Sequence, residues 1–273
     1  MPTLADIGLY TSNTQSKTLV VATCKAQLLA SDPKVQSCLG TQPLDSENSS
    51  VFRSPGFGSF QHILFVPLDQ SEPTAQQARV FGAQIIRALQ QHHCQDAVID
   101  FAALNWESTA VIQGFLEGLW LASYTFTHYK SASTLKPVTH LWLTGSLDAS
   151  HLQHSQSLCH GVALARDLGN HPANIMTPTQ LAETAQSFAS HPNVSVTVID
   201  EKTLKDMGMN AFVGVSQGSS EPCQFILCEY KHPKQSQEAP FALLGKGVTF
   251  DSGGISLKPS QKMWDMKYDM CGA

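Results

Sequence analysis

The sequence predicts an α/β protein, with an N-terminal α/β domain joined by a helix to an incomplete C-terminal α/β domain. Three observations predict it. Short apolar runs of strand type alternate with longer stretches whose apolar residues recur every three and four positions, the pattern of helices packed on a sheet. The length of 273 residues exceeds that of one ordinary domain. A content of 42% hydrophobic against 14% charged residues is enough for a substantial core.

In chain order, LVVAT (19–23) and HILFVPL (62–68) read as strands. Between them LDSENSSVFRSPGFGSF (44–60), rich in Ser and Gly, reads as the longest loop. TAQQARVFGAQIIRALQQH (74–92) carries a helical stripe that includes Val80, Ile85 and Leu89. DAVIDFAAL (96–104) returns to strand, ESTAVIQGFLEGLWLASY (107–124) to helix and VTHLWLTG (138–145) to strand. A linking helix is expected from His151 to about Leu168, ended by GNHPAN (169–174). The predicted division is therefore 1–150, a linker at 151–170, and 171–273. After it, Thr177 caps a helix with Pro178 in the first turn and Gln180 placed for a capping box. VSVTVID (194–200), QFILCEY (224–230) and FALLGKG (241–247) read as strands, with EKTLKDMGM (201–209) a short helix.

Charge counts against one class of function. The net charge is −5, and residues 1–150 hold 8 Lys and Arg against 11 Asp and Glu, so neither offers the basic excess of a nucleic-acid binder. The seven cysteines are scattered without a CxxC pair and read as free thiols of a reducing compartment. The N-terminus has no basic cluster followed by an apolar run, and no stretch approaches the ~18 apolar residues that span a bilayer. A cytoplasmic protein without membrane contact is the expectation.

The chemistry concentrates in GKGVTFDSGGISLKPSQKMWDMKYDMCGA (245–273). Glycines flank Lys246 and permit close backbone approach. Asp251 follows at a strand end, where α/β sheets bind ligands, and Ser252, Gly253 and Gly254 make a tight turn. Asp265 and Asp269 are four apart and would share one face of an α-helix. Three carboxylates without a histidine suit Mn²⁺, Mg²⁺ or Zn²⁺, and two such ions about 3.5–4 Å apart could activate a shared water. A desolvated lysine beside a metal can lose its proton and coordinate, while a second that stays charged can steady an oxyanion. Lys246 and Lys258 are candidates for these roles. Blander readings stand beside this one. GKG and FDSGG are also ordinary turns, Lys262 and Asp265 an exposed helical face, and MWDMKYDM a Met/Trp core stripe. A phosphate-binding reading lacks GxxxxGK[ST] and any GxGxxG after a strand.

GKGVTFDSGGISLKPS followed by MKYDMCGA closely resembles the leucyl aminopeptidase (cytosol aminopeptidase) family of two-metal exopeptidases. The resemblance extends to RDLGNHPANIMTPTQLAE (166–183) and GMNAFVGVSQGSSEPCQFILCEY (208–230), with a weaker echo in LEGLWLASYTFTHYKS (116–131). It implies a C-terminal catalytic domain binding two divalent ions, Mn²⁺ or Zn²⁺. Lys246 would bind one metal through its amine, Asp251 would bridge both, and Asp269 would be a further ligand of the lysine-bound metal. Lys258 would be catalytic, polarising the substrate carbonyl; with Asp251 and Asp269 it would contact substrate. Asp265 matches no ligand. The implied reaction is removal of N-terminal residues such as leucine from peptide substrates, in a homo-hexamer.

One departure matters. The family's later Asn-Thr-Asp-Ala-Glu-Gly-Arg motif, which supplies further ligands, does not occur in this sequence. The expectation is thus half a site, in a chain cut inside its core and without appreciable peptidase activity of its own. The alternative is a non-catalytic regulatory or DNA-binding relative, which the acidic balance of residues 1–150 disfavours.

Overall fold

The computed structural model describes residues 4–11, 14–24, 51–53, 60–68, 72–131, 136–234 and 241–273. The chain divides into two compact units, Met1–Leu164 and Ala165–Ala273.

In the first unit, β1 (Asp6–Leu9), β2 (Thr18–Cys24), β3 (Val51–Arg53), β4 (His62–Leu68), β5 (Asp96–Ile99) and β6 (His140–Leu143) form one sheet. Its order is β1-β6-β5-β2-β4-β3. Five strands run parallel, and β3 pairs antiparallel with β4 at one edge. Buried strands of a parallel sheet read as continuous apolar runs. β4 fits, with Ile63, Leu64, Phe65 and Val66 all buried.

Helices α1 (Ala75–Gln91) and α2 (Thr109–Ser123) pack against each other at backbone distance. A Cβ at Gly82 would strike the Phe115 carbonyl, one at Gly114 the Ala75 carbonyl, and one at Gly118 the Arg79 carbonyl. Three glycines on the two helices therefore set the crossing. Beside it Glu117, almost fully buried, accepts from Arg79 Nε at 2.9 Å and Nη2 at 2.5 Å on the same Oε2. A buried carboxylate needs such a partner. Thr74 closes the start of α1 with a reciprocal capping box to Gln77.

The structure moves several expected boundaries. Val80 does not lie on the buried stripe of α1; it is 47% exposed, and Ala78, Phe81, Ile85, Ile86 and Leu89 form the stripe instead. The strand expected over 96–104 stops at Ile99, and Ala102–Leu104 is a 3₁₀ turn. β3 falls inside the expected loop 44–60, whose other residues, apart from Phe60, lie outside the described ones. β1 was not foreseen. It is held by long-range bonds that no local pattern encodes: Ala5 N–H donates to Ser123 Oγ at 3.0 Å, and Trp120 Nε1 donates to the Ala5 carbonyl at 3.1 Å.

Helix α3 (Ala149–Asn170) is slightly longer than expected, and the division between the units falls within it. The second unit continues with α4 (Pro178–Ser187), β7 (Val194–Asp200), α5 (Glu201–Asp206), α6 (Asn210–Ser216) and β8 (Gln224–Tyr230). Thr177 Oγ1 accepts from the Gln180 N–H at 3.3 Å, so Thr177 caps α4 as expected, but without the reciprocal Gln180 bond of a capping box. β7 and β8 make an antiparallel pair from Val194↔Tyr230 to Asp200↔Gln224. Leu204, Val213 and Cys223 form a small core beside it. The strand expected over 241–247 is not one. The segment pairs with no strand among the described residues, and Leu244 is 94% exposed. An apolar run becomes a strand only where a partner accepts its ladder of hydrogen bonds. Cys94, Cys159, Cys223, Cys228 and Cys271 are not in disulfides.

Candidate metal centre

The site is built from the turn after residue 250 and the helix that follows. Asp251 Oδ1 accepts from the Gly253 N–H at 3.0 Å, and the Ser252 carbonyl accepts from the Lys258 N–H at 2.9 Å. Gly253 (φ 91°) and Gly254 (φ 70°) take the left-handed conformations that close this loop. A side chain on Gly253 would run into the Ser256 carbonyl, so the loop admits no alternative there.

Residues Met263–Met270 form a 3₁₀ helix, not an α-helix. This corrects the pairing of Asp265 with Asp269. With three residues per turn, positions four apart stand about 120° from each other, and Asp265 does not share the face of Asp269. The same geometry dissolves the expected core stripe. Met270 is buried, whereas Trp264 is 65% exposed.

Four side chains are brought together. Lys246 Nζ pairs with Asp269 Oδ2, and Lys258 Nζ pairs with Asp251 Oδ2 at 2.7 Å. The Asp251 N–H donates to the Met266 carbonyl at 3.3 Å and ties the turn to the 3₁₀ helix. Lys246 reaches this place because its flanking glycines let the chain lie against the last residues. A Cβ at Gly245 would strike Gly272 and Ala273, and one at Gly247 would sit 3.4 Å from the Ala273 Cβ. The pairs are open to water, with the Lys246 and Asp269 side chains 56% and 30% exposed. The Lys258 donor, the Gly253 N–H and the charges of both lysines hold the Asp251 carboxyl below the usual carboxylate range.

The donors present are two carboxylates and two primary amines. Among the described residues no group of three or more His, Cys, Asp and Glu side chains gathers. Lys246, Asp251 and Asp269 fit a hard or borderline divalent cation, but only if the amine gives up its proton. Sequence reasoning missed the neighbouring cleft of about 440 Å³, lined by Lys258, Pro259, Gln261, Lys262, Met263 and Met266. Met263 and Met266, three apart, eclipse only because this helix is 3₁₀, which the sequence does not announce. Lys258 Nζ lies 3.3 Å from Met266 Sδ, so the cleft opens directly beside the turn.

This turn and helix carry the strings that match a known family. The profile described as the cytosol aminopeptidase family, catalytic domain, matches residues 163–273, and that family's N-terminal domain matches residues 45–133. The chain belongs to the cytosol aminopeptidase family. A probable cytosol aminopeptidase of Azotobacter vinelandii is 44% identical over 164 residues, covering 58% of this chain and 33% of the relative. Another, of Pseudomonas syringae pv. tomato, is 36% identical over 226 residues, covering 78% of this chain and 45% of the relative. Among solved structures, the bottromycin maturation enzyme BotP in complex with Mn superposes with a TM-score of 0.75 at 25% identity, over 94% of this chain and 54% of that one. The chain thus spans less than half the length of these curated family members. No helix among its described residues is long and apolar enough to cross a membrane.

Proposed function

We propose that this chain carries part of the active site of a metal-dependent aminopeptidase that removes N-terminal residues such as leucine from peptides. The observation that carries the reading is a pair of neighbouring ion pairs, Lys246 with Asp269 and Lys258 with Asp251, joined by the Asp251 N–H on the Met266 carbonyl. In this reading Lys246, Asp251 and Asp269 hold divalent metal. Mn²⁺ or Zn²⁺ there would supply a Lewis acid and an activated water. Lys258 keeps its charge, lines the cleft beside Met263 and Met266, and orients and polarises the scissile carbonyl of the bound peptide. Asp251 and Asp269 also face the substrate. Assembly of the whole protein as a homo-hexamer and a cytoplasmic location belong to the same reading, the location in keeping with relatives named cytosol aminopeptidases.

The donor count sets a limit. One amine and two carboxylates are too few to hold two ions with a bridging water between them, so residues 1–273 alone lack appreciable peptidase activity. Purified residues 1–273 are assayed with leucine p-nitroanilide under added Mn²⁺ or Zn²⁺. The expected result is no hydrolysis above the metal blank together with measurable Mn²⁺ uptake. Metal-dependent turnover would overturn the donor count, and absence of uptake would overturn the metal reading.

A further inference from the structure

The eight-residue 3₁₀ helix that bears Asp269 is longer than such helices usually run, because their hydrogen-bond geometry is poor. Something outside it must hold it. One restraint is already described, the Asp251 N–H on the Met266 carbonyl. The other lies at the last two residues of α3. The Asn170 carbonyl accepts from Lys267 Nζ at 2.8 Å, and Asn170 Oδ1 accepts from the Tyr268 hydroxyl at 3.1 Å. The Lys267 ammonium also lies 5.0 Å from the centroid of the Tyr268 ring. Gly169, buried, completes the seat: a Cβ there would come within 2.9 Å of Cys271 Sγ and 3.4 Å of Tyr268 Cδ1.

The residues immediately before Asp269, and one two positions after it, thus rest on the end of α3. The arrangement has a physical logic. The last carbonyls of an α-helix lack intrahelical donors and carry partial negative charge, and a lysine ammonium satisfies both conditions at once. The Tyr268 hydroxyl adds direction to this, because it fixes the azimuth of the turn and with it the direction in which the next side chain leaves. Asp269 emerges from that fixed turn toward Lys246.

We propose that Asn170 and Tyr268 are positioning residues that aim the Asp269 carboxylate, with Gly169 providing the room. The proposal rests on the reading of Asp269 as a metal ligand. Loss of a hydrogen bond to a metal ligand typically weakens affinity about 10–100-fold, and this support is one step further out, so the low end of that range applies.

The test measures Mn²⁺ affinity of the full 273-residue chain by calorimetry, with the Mn²⁺ electron paramagnetic resonance spectrum as a second readout. Tyr268→Phe keeps the ring and removes only the hydroxyl, so it decides the matter even if Asn170→Leu does not fold. Each variant is expected to weaken Mn²⁺ binding about tenfold. The double variant should be no weaker than the weaker single one, since both remove the same bond. Asn170→Asp, which retains an acceptor, should restore affinity. Unchanged affinity in Tyr268→Phe, with binding abolished in Asp269→Asn, would refute the positioning role and leave the metal reading intact. Unchanged affinity in Asp269→Asn would sink the metal reading itself, and the positioning role with it.

Discussion

The two units of this chain hold their shape by different means. In the first, Trp120, Phe65, Phe115 and a set of leucines and isoleucines are shut away from water between a six-stranded sheet and two helices. The second buries a cluster of Leu204, Val213 and Cys223 beside a two-stranded ribbon, while Leu243, Leu244, Ile255 and Leu257 face solvent. Yet it is the second that carries the candidate metal centre. Its residues are placed by short-range devices: a glycine turn, ion pairs, and hydrogen bonds to the end of α3. The contrast teaches that a large core is not what aims the chemistry-bearing side chains here. Local turn geometry and charge pairing do that.

Substitutions can break or sharpen this contrast. The largest effect is expected in the first unit at Phe115, which packs against Phe101, Trp106 and Phe81 with ring centroids 5.7, 5.5 and 6.1 Å away. Phe115→Ala should cost about 3–5 kcal/mol in chemical denaturation of that unit. A loss below ~1 kcal/mol would mean that the aromatic cluster is not what stabilises it. Gly118→Ala should follow, at about 1–3 kcal/mol, because the added methyl meets the Arg79 carbonyl and the helices must separate. Thr74→Ala removes the capping box of α1 and should cost about 1 kcal/mol, read from the same denaturation curves. Leu244→Ala in the second unit should change stability by less than ~0.5 kcal/mol, since little is buried to lose. A loss comparable to that at Phe115 would erase the distinction between the units.

The smallest effect is electrostatic and needs a spectroscopic probe. Asp251 has a depressed pKa in the folded chain, so its favourable contribution is present above the unfolded-state value. It is lost only as pH falls through the lower, folded one. Lys258→Met removes the leading cause, the Lys258 hydrogen bond, together with its charge. The carboxyl titration of Asp251, followed by ¹³C NMR, should move up toward the ordinary carboxylate range. An unmoved midpoint would show that the pair at 2.7 Å does not persist in solution.

How much of this was legible in the sequence depends on the range of the interaction that fixes each element. β4, α1, α2, β7 and β8 announce themselves through apolar periodicity, which is local. Thr177 announces the start of α4 because a cap needs only its own next three residues. β1 is invisible in DIGL, since its parallel pairing with β6 joins residues more than a hundred positions apart. The run 241–247 misleads for the mirror reason: its residues are strand-like, but pairing is a property of two segments. At the candidate centre, residue types drew attention to Lys246, Asp251, Lys258, Asp265 and Asp269, because glycines and acids beside lysines are conspicuous, and the family resemblance narrowed them to the four without Asp265. Periodicity misjudged Asp265, since nothing in MWDMKYDM says whether the turn closes after three residues or four. Nor could any string reveal that Asn170 meets Tyr268.

The pairing of each site carboxylate with its own lysine has a wider meaning. Bare acids crowded on one loop repel each other, and such a loop stays open until a cation arrives from solution. Here the chain brings its counter-ions along. Each carboxylate of the folded loop therefore already faces a positive charge, and a cation binding there would have to compete with Lys258 for Asp251 and with the Lys246 proton for Asp269.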